Sequence, residues 1–332
     1  MPATLVHNDL TVLERVQRSA TQSVVAGTCH LTFQALGTVC RVQYRCGQAR
    51  QAQEFQDEVL TWVAQFEAKY SRFLADSLIS RINAAAGEDW VEIDPETENL
   101  LKLCGEMFFF TRGVFDPTAL PLLKLWNWKA QLPVLPTAAQ LDAARAVCGW
   151  NKVERRPGAI FLPHAGMSLD LGGIGKEYAV DCVTQLAAAR GLESVLVDFG
   201  QDVRVQGRPP AKGAWVIGLE DPRNPGHCWA SLAVTGHAVA TSGDYLRYFV
   251  RDGRRYGHIV DPRDGQPVNN QCVSVSVIAS TCTLAGILST TAFILGPTEG
   301  LNLIRLCPGA EGCITTDQNC HQTRRFHEYV IR

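Results

Sequence analysis

Hydrophobic positions along this chain fall into blocks with two different periods. Residues 31–43 alternate apolar and polar side chains, which predicts a strand broken or bulged at Gly37. Residues 51–70 instead place Phe55, Val59, Val63 and Phe66 on one helical face, the clearest amphipathic helix in the sequence. Asp76 or Ser77 is positioned to cap a short helix through Asn83. A short strand at 90–93 precedes a second helix at 95–111, with Gly113 placed to close it. Residues 117–136 hold four prolines and two tryptophans and read as irregular. Residues 137–148 are helical and end at Gly149, residues 160–171 give one or two strands, and residues 176–190 form a helix stopped by Gly191. Strand patterns dominate afterwards, at 194–198, 203–206, 214–219, 230–235, 238–241 and 273–279. Helices at 284–295 and 298–307 and a last strand at 329–331 complete the pattern.

Strands and helices therefore come in clusters, not in strict alternation. That arrangement predicts an α+β fold with mixed, largely antiparallel sheets and packed helices. Residues 1–28 carry weak pattern and read as a weakly ordered N-terminal arm, leaving residues 29–332 as one domain. No internal repeat, low-complexity tract or linker interrupts it.

Composition narrows the function classes. Of 332 residues, 46% are hydrophobic and 19% charged, the values of an ordinary globular protein. A net charge of −2 gives no basis for nonspecific nucleic-acid binding, so any basic character is local. None of the twelve cysteines forms a C-x-x-C pair, and Cys313, Cys320 and His321 are irregularly spaced for a metal site. Cys104, Cys148, Cys182 and Cys282 sit among apolar neighbours as small core residues. The expectation is a reduced, cytoplasmic protein. The first twenty residues carry Asp9, Glu14, Arg15 and Arg18 and no apolar run, and no long apolar stretch follows, so neither a signal peptide nor a membrane span is expected.

Four segments and an arginine patch carry candidate chemistry. Asp170-Leu171-Gly172-Gly173-Ile174-Gly175-Lys176 is a glycine-rich turn between a strand and a helix, suited to a phosphate or simply to a tight turn. It is neither a Walker loop nor G-x-G-x-x-G. Ser242-Gly243-Asp244-Tyr245 and His258-Ile259-Val260-Asp261 combine a flexible turn, an aromatic ring and a titratable group. His258 and Asp261 could serve as base and orienter with Ser242 as nucleophile, or be plain structural residues. Arg247, Arg251, Arg254 and Arg255, joined by Arg263, make a local basic patch that either faces water or neutralises phosphate. Phe115-Asp116-Pro117-Thr118 is an Asx-Pro turn that also offers a carboxylate beside an aromatic face, and Phe73, Trp126 and Trp128 are candidates for stacking on rings.

Seven segments in order resemble the FAD:protein FMN transferase family, also called the ApbE family. They are Leu36-Gly37-Thr38; Ser71 through Asp76-Ser77 to Ser80-Arg81-Ile82-Asn83; Phe115 to Thr118; Asp170 to Lys176 with Tyr178 and Asp181; Ser242 to Tyr245; His258 to Gly265; and Leu284 to Thr290. The resemblance runs through most of the chain, from about residue 31 to 330. It implies a T-fold-related α+β architecture with a cleft for FAD as substrate and Mg²⁺ on its diphosphate. It also implies transfer of FMN to a Ser or Thr hydroxyl of an acceptor protein, with release of AMP. Carried over by position, Leu36, Phe73, Phe115 and Asp116 would face the flavin or adenine. Asp170, Lys176, Ser242, Gly243, Tyr245 and His258 would line the cofactor site. His258 would help deprotonate the acceptor, and the Gly173 carbonyl and Thr290 hydroxyl would lie at the metal.

Four positions depart from the family pattern. The late Ala-Asp-Ala-Leu-x-Thr motif, whose Asp is a metal ligand, reads Ala285-Gly286-Ile287-Leu288-Ser289-Thr290 here. Lys-Gly-Tyr reads Lys176-Glu177-Tyr178, Gly-Gly after the central strand reads Gly200-Gln201, and the Met before Gly-Thr is Leu36. Without a carboxylate at 286, metal binding is expected to weaken unless another acid, such as Asp170 or Asp264, takes its place. The same fold without transfer activity would be a flavin-binding protein, and with water as acceptor it would be an FAD pyrophosphatase giving FMN and AMP.

Overall fold

Burial alternates along the strands with a period of two, and that alternation divides the core into two layers. In Val195–Phe199, Val195, Val197 and Phe199 point to one face, while Leu196 joins Val203, Val205, Val239 and Ile278 on the other. A computed structural model describes residues 10–126, 134–209 and 213–331. Among these, nine strands form one sheet in the order Thr21–Val25, Thr28–Ala35, Thr38–Tyr44, Val195–Phe199, Asp202–Gln206, Ala238–Gly243, Cys272–Ala279, Glu311–Thr316 and Cys320–Gln322. Every neighbouring pair is antiparallel. The expected α+β class with antiparallel sheets is observed.

Helices cover the first face. Ala49–Tyr70 buries Phe55, Val59, Val63 and Phe66, the stripe read from the sequence, and a fully buried side chain of this size contributes about 1.5–3 kcal/mol. Cys282–Leu295 is apolar on nearly all sides because it lies between the sheet, Gly175–Ala189 and Pro297–Arg305. The second face packs against a small sheet of Val330–Ile331, Cys228–Val234 and Trp215–Glu220 around Trp215, Leu219, Leu232 and Phe326. A third apolar cluster joins Leu122, Trp126 and Leu141 to Phe249, Tyr256 and Val260, tying the proline-rich region to a hairpin of Tyr248–Arg251 and Arg254–Gly257.

Buried Asp181 fixes two of the helices relative to each other. Its carboxylate accepts from Arg204 Nη1 at 2.7 Å, the backbone N–H groups of Cys282 and Thr283 at 2.8 and 2.9 Å, and Thr283 Oγ1 at 2.6 Å. One side chain on Gly175–Ala189 thus satisfies the first two open N–H groups of Cys282–Leu295, and Thr281 takes the third.

The structure differs from the sequence reading in several places, among them a helix at Leu120–Leu125 within the stretch read as irregular and strands at Glu311–Thr316 and Cys320–Gln322 that the pattern does not mark. Residues 12–25 are no frayed arm: Val12–Ser19 is a helix with a Thr11/Glu14 capping box, and Thr21–Val25 is an edge strand of the large sheet. All five residues of that strand are exposed, so no alternation marks it. Residues 31–43 are two strands joined by a tight turn, with Leu36 and Gly37 at φ 53° and 71°. Only Ala159–Phe161 of the expected 160–171 strands forms, and beyond it Leu169 and Asp170 donate their N–H groups to Asn83 Oδ1 and the Pro117 carbonyl.

Candidate active site

Two hairpin turns abut at one edge of the site. In the first, Leu36 N–H donates to Glu67 Oε2 at 2.8 Å, which helps hold Leu36 in its left-handed conformation. The second joins Val195–Phe199 to Asp202–Gln206 through Gly200 and Gln201, both at positive φ. A Cβ on Gly200 would come within 2.5 Å of Thr38 Oγ1, so the two turns pack with no room for a side chain there. Gln201 adopts the second left-handed position despite its Cβ, with its N–H donating to Asp198 Oδ1. Asp202 then forms a salt bridge with Lys176.

Lys176 opens Gly175–Ala189 directly after the glycine turn. Ahead of it, Asp170 pairs with Arg72 at 3.1 Å and accepts from Gly172 N–H at 2.9 Å. The Arg72 guanidinium lies 4.1 Å from the centre of the Phe73 ring, which is 79% exposed. Phe115 faces Gly173: a Cβ there would lie 3.8 Å from the ring. Next to it, Asp116 accepts from the N–H and hydroxyl of Thr118 at 2.8 and 2.7 Å. Burial raises the Asp116 pKa, and those bonds oppose the rise. Phe73, Phe115, Asp116, Asp170, Gly173 and Lys176 are thus joined through neighbouring contacts.

A hydroxyl cluster lies between the sheet and the helix Cys282–Leu295. Ser242 Oγ, on Ala238–Gly243, lies 2.8 Å from both Ser289 Oγ and Thr290 Oγ1 on Cys282–Leu295. Ser289 donates to the Gly286 carbonyl at 3.0 Å. Gly286 faces Glu177: a Cβ there would fall 2.6 Å from Glu177 Cγ. The acid beside position 286 is therefore neither of the two expected. Asp170 is held by Arg72, and Asp264 accepts from Gln266 N–H. Sequence separation hid this contact, as it hid Arg72, Asp202 and Ser289.

Beyond Ser242, the chain turns through Gly243 into a polar hairpin. Tyr245 donates to Glu220 Oε2 at 2.7 Å, and burial together with that carboxylate raises its pKa. Asp244 receives Arg255 Nη2 at 2.8 Å; burial raises the Asp244 pKa and Arg255 opposes it. The basic patch is thus partly committed within the hairpin, with the Arg255 guanidinium also 4.4 Å from the Tyr248 ring centre. His258 donates its backbone N–H to the Arg247 carbonyl at 3.0 Å. Burial and the Arg247 charge lower its pKa to about 4. Asp261 accepts from Arg263 Nε and Nη2 at 3.0 and 2.6 Å. Trp126 is buried and donates Nε1–H to the Gly265 carbonyl, a packing role, while Trp128 lies outside the described residues. Among the described residues, no group of three or more His, Cys, Asp or Glu side chains could hold a metal ion, which removes the Cys313, Cys320 and His321 set.

Comparison with known proteins decides the family. The model described as the ApbE family matches residues 36–314. The chain belongs to the ApbE family. It is 34% identical over 295 residues to the FAD:protein FMN transferase of Treponema pallidum, covering 83% of this chain and 81% of that protein. It is 30% identical over 277 residues to the enzyme of that name from Vibrio cholerae, covering 82% and 83%. Among solved structures, the ApbE protein of Thermotoga maritima superposes with a TM-score of 0.82 at 31% identity, covering 91% of this chain and 99% of that one. The flavinyl transferase ApbE of Pseudomonas stutzeri, in its apo form, gives 0.80 at 30% identity, covering 93% and 97%. The seven segments singled out in the sequence therefore lie within an ApbE fold.

Proposed function

We propose that this ApbE-family chain is an FAD:protein FMN transferase, which moves FMN from FAD to a Ser or Thr hydroxyl of an acceptor protein and releases AMP. The observation that most supports the reading is the packing of the helix that carries Lys176 against the helix that carries Thr290, whose hydroxyl joins Ser242, with Gly286 facing Glu177 between them. It offers hydroxyl and backbone donors to a diphosphate, and Phe73 offers an exposed aromatic face to a ring. In this reading Leu36, Phe73, Phe115 and Asp116 bind the flavin or adenine. Asp170, Lys176, Ser242, Gly243 and Tyr245 bind the rest of FAD.

The reaction needs one displacement at phosphorus. The acceptor oxygen bonds to the FMN-side phosphorus, and the bond from that phosphorus to the bridging oxygen breaks. The electron pair leaves with AMP. The hydroxyl proton goes to the His258 imidazole. With a pKa of about 4, that ring is neutral at pH 7, the protonation state of a general base. An anionic diphosphate nearby would offset the Arg247 charge and raise its basicity. The oxygen donors of Thr290 and the Gly173 carbonyl fit a hard divalent cation such as Mg²⁺. When bound, the ion would neutralise diphosphate charge.

The transfer domain in this reading begins near residue 11 and not at 29, because the helix and strand before Thr28 complete the sheet. No described helix is long and apolar enough to cross a membrane. The free cysteines support a reducing, cytoplasmic setting. The test is incubation of the purified chain with FAD, Mg²⁺ and a flavin-acceptor protein. A fluorescent acceptor band that survives denaturation is expected. His258→Ala should slow transfer by about 10²–10⁴-fold while FAD affinity stays within a few-fold of wild type. Equal losses in both would reassign His258 to binding.

A further inference from the structure

Glu177 is the least explained charged residue of the site. It is 8% exposed, on the inner side of Gly175–Ala189. One carboxylate oxygen, Oε1, lies 3.3 Å from Lys176 Nζ. The other, Oε2, is buried with no hydrogen-bond partner among the described residues. A buried carboxylate oxygen without a donor is costly, and such a group calls for a ligand.

The space into which Glu177 reaches exists because residue 286 is glycine. A Cβ on Gly286 would sit 2.6 Å from Glu177 Cγ, 3.1 Å from its carboxyl carbon and 3.3 Å from Oε1. Thr290 lies one helical turn beyond Gly286, on the same face, with Ser242 and Ser289 bonded around it. Lys176 balances only part of the charge: two carboxylates, Glu177 and Asp202, face one ammonium. Hydroxyl oxygens, a carbonyl and an unpartnered carboxylate under net negative charge make a donor set for a hard divalent cation.

We propose that Glu177 is the carboxylate ligand of a divalent-cation site at Gly286 and Thr290. Glu177 and Gly286 face each other where Gly175–Ala189 packs against Cys282–Leu295, so the neighbouring helix supplies the carboxylate that position 286 lacks. The proposal rests on the transferase reading for the use of the cation, and on the contact between the two helices for its location.

The test uses the full-length chain and Mn²⁺ alone, titrated by electron paramagnetic resonance, with thermal melting in Mg²⁺ as a second readout. Glu177→Gln, which keeps the volume, should weaken Mn²⁺ binding by at least about tenfold and abolish the Mg²⁺-dependent rise in melting temperature. Glu177→Gly combined with Gly286→Asp should bring affinity back to within a few-fold of wild type. Gly286→Asp alone should melt lower than wild type, since its Cβ collides with Glu177. Wild-type Mn²⁺ affinity in folded Glu177→Gln overturns the proposal, as does a folded double variant that recovers none. FAD titration of the same preparations separates the two readings. Glu177-dependent Mn²⁺ binding without FAD binding supports the site and defeats the transferase. Flavin transfer with Glu177-independent Mn²⁺ binding defeats the site alone.

Discussion

Asp181→Ala removes the side chain that holds together the two helices carrying the site. The Asp181 carboxylate accepts four hydrogen bonds, at 2.6 to 2.9 Å, from Arg204, Cys282 and Thr283. Truncation leaves the N–H groups of Cys282 and Thr283 without their side-chain acceptor, worth about 1 kcal/mol, while Thr281 still caps Leu284 N–H. It also leaves Arg204 unpaired, and breaking a buried pair costs about 3–5 kcal/mol. The Arg204 side chain is 21% exposed and can recover some hydration, which places the total near the lower bound, about 3 kcal/mol. Urea unfolding followed by circular dichroism should show a lower midpoint at an unchanged slope. Asp181→Asn, which keeps two acceptor lone pairs but turns an amide toward a donor, should fall between wild type and alanine. A loss under about 1 kcal/mol for the alanine variant would refute the network as the clamp between the helices, because the lost acceptor and ion pair would then be worth no more than a surface contact.

Two further outcomes follow from the same geometry. His258 has a folded pKa of about 4 against an ordinary 6.5, so the unfolded chain binds the proton first; its contribution is complete above pH 6.5 and is lost as pH falls toward 4. The loss amounts to about 3 kcal/mol, and His258→Gln should flatten that acid limb of the stability profile; identical limbs in both proteins would contradict the assignment. Leu36 sits at φ 53°, so Leu36→Asn should stabilise the fold by about 0.5–1 kcal/mol while weakening FAD binding through loss of an apolar face, and tighter FAD binding would remove Leu36 from the site.

What the sequence revealed depended on whether the relevant physics was local. The stripe on Ala49–Tyr70 was legible because its residues recur every turn and meet one core. The Leu36-Gly37 turn shows in the sequence only as a break, since the usual Asn-Gly signal is absent and tertiary contacts hold leucine in the left-handed region. The edge strand Thr21–Val25 was missed because exposure on both faces erases alternation. Along the sequence, Glu177 and Gly286 are two separate departures, an added acid and a missing one. They are one feature in space, and only the packing of Gly175–Ala189 against Cys282–Leu295 joins them. The family motifs, by contrast, were short local strings, and they carried the fold correctly across most of the chain.

The most direct test of the transferase account is a count of products: AMP released against flavin covalently held by the acceptor, in one reaction with and without that acceptor. Equal amounts of the two, both appearing only when the acceptor is present, are the predicted result. AMP formed without acceptor, or flavin that washes away entirely from denatured protein while no AMP appears, would contradict it.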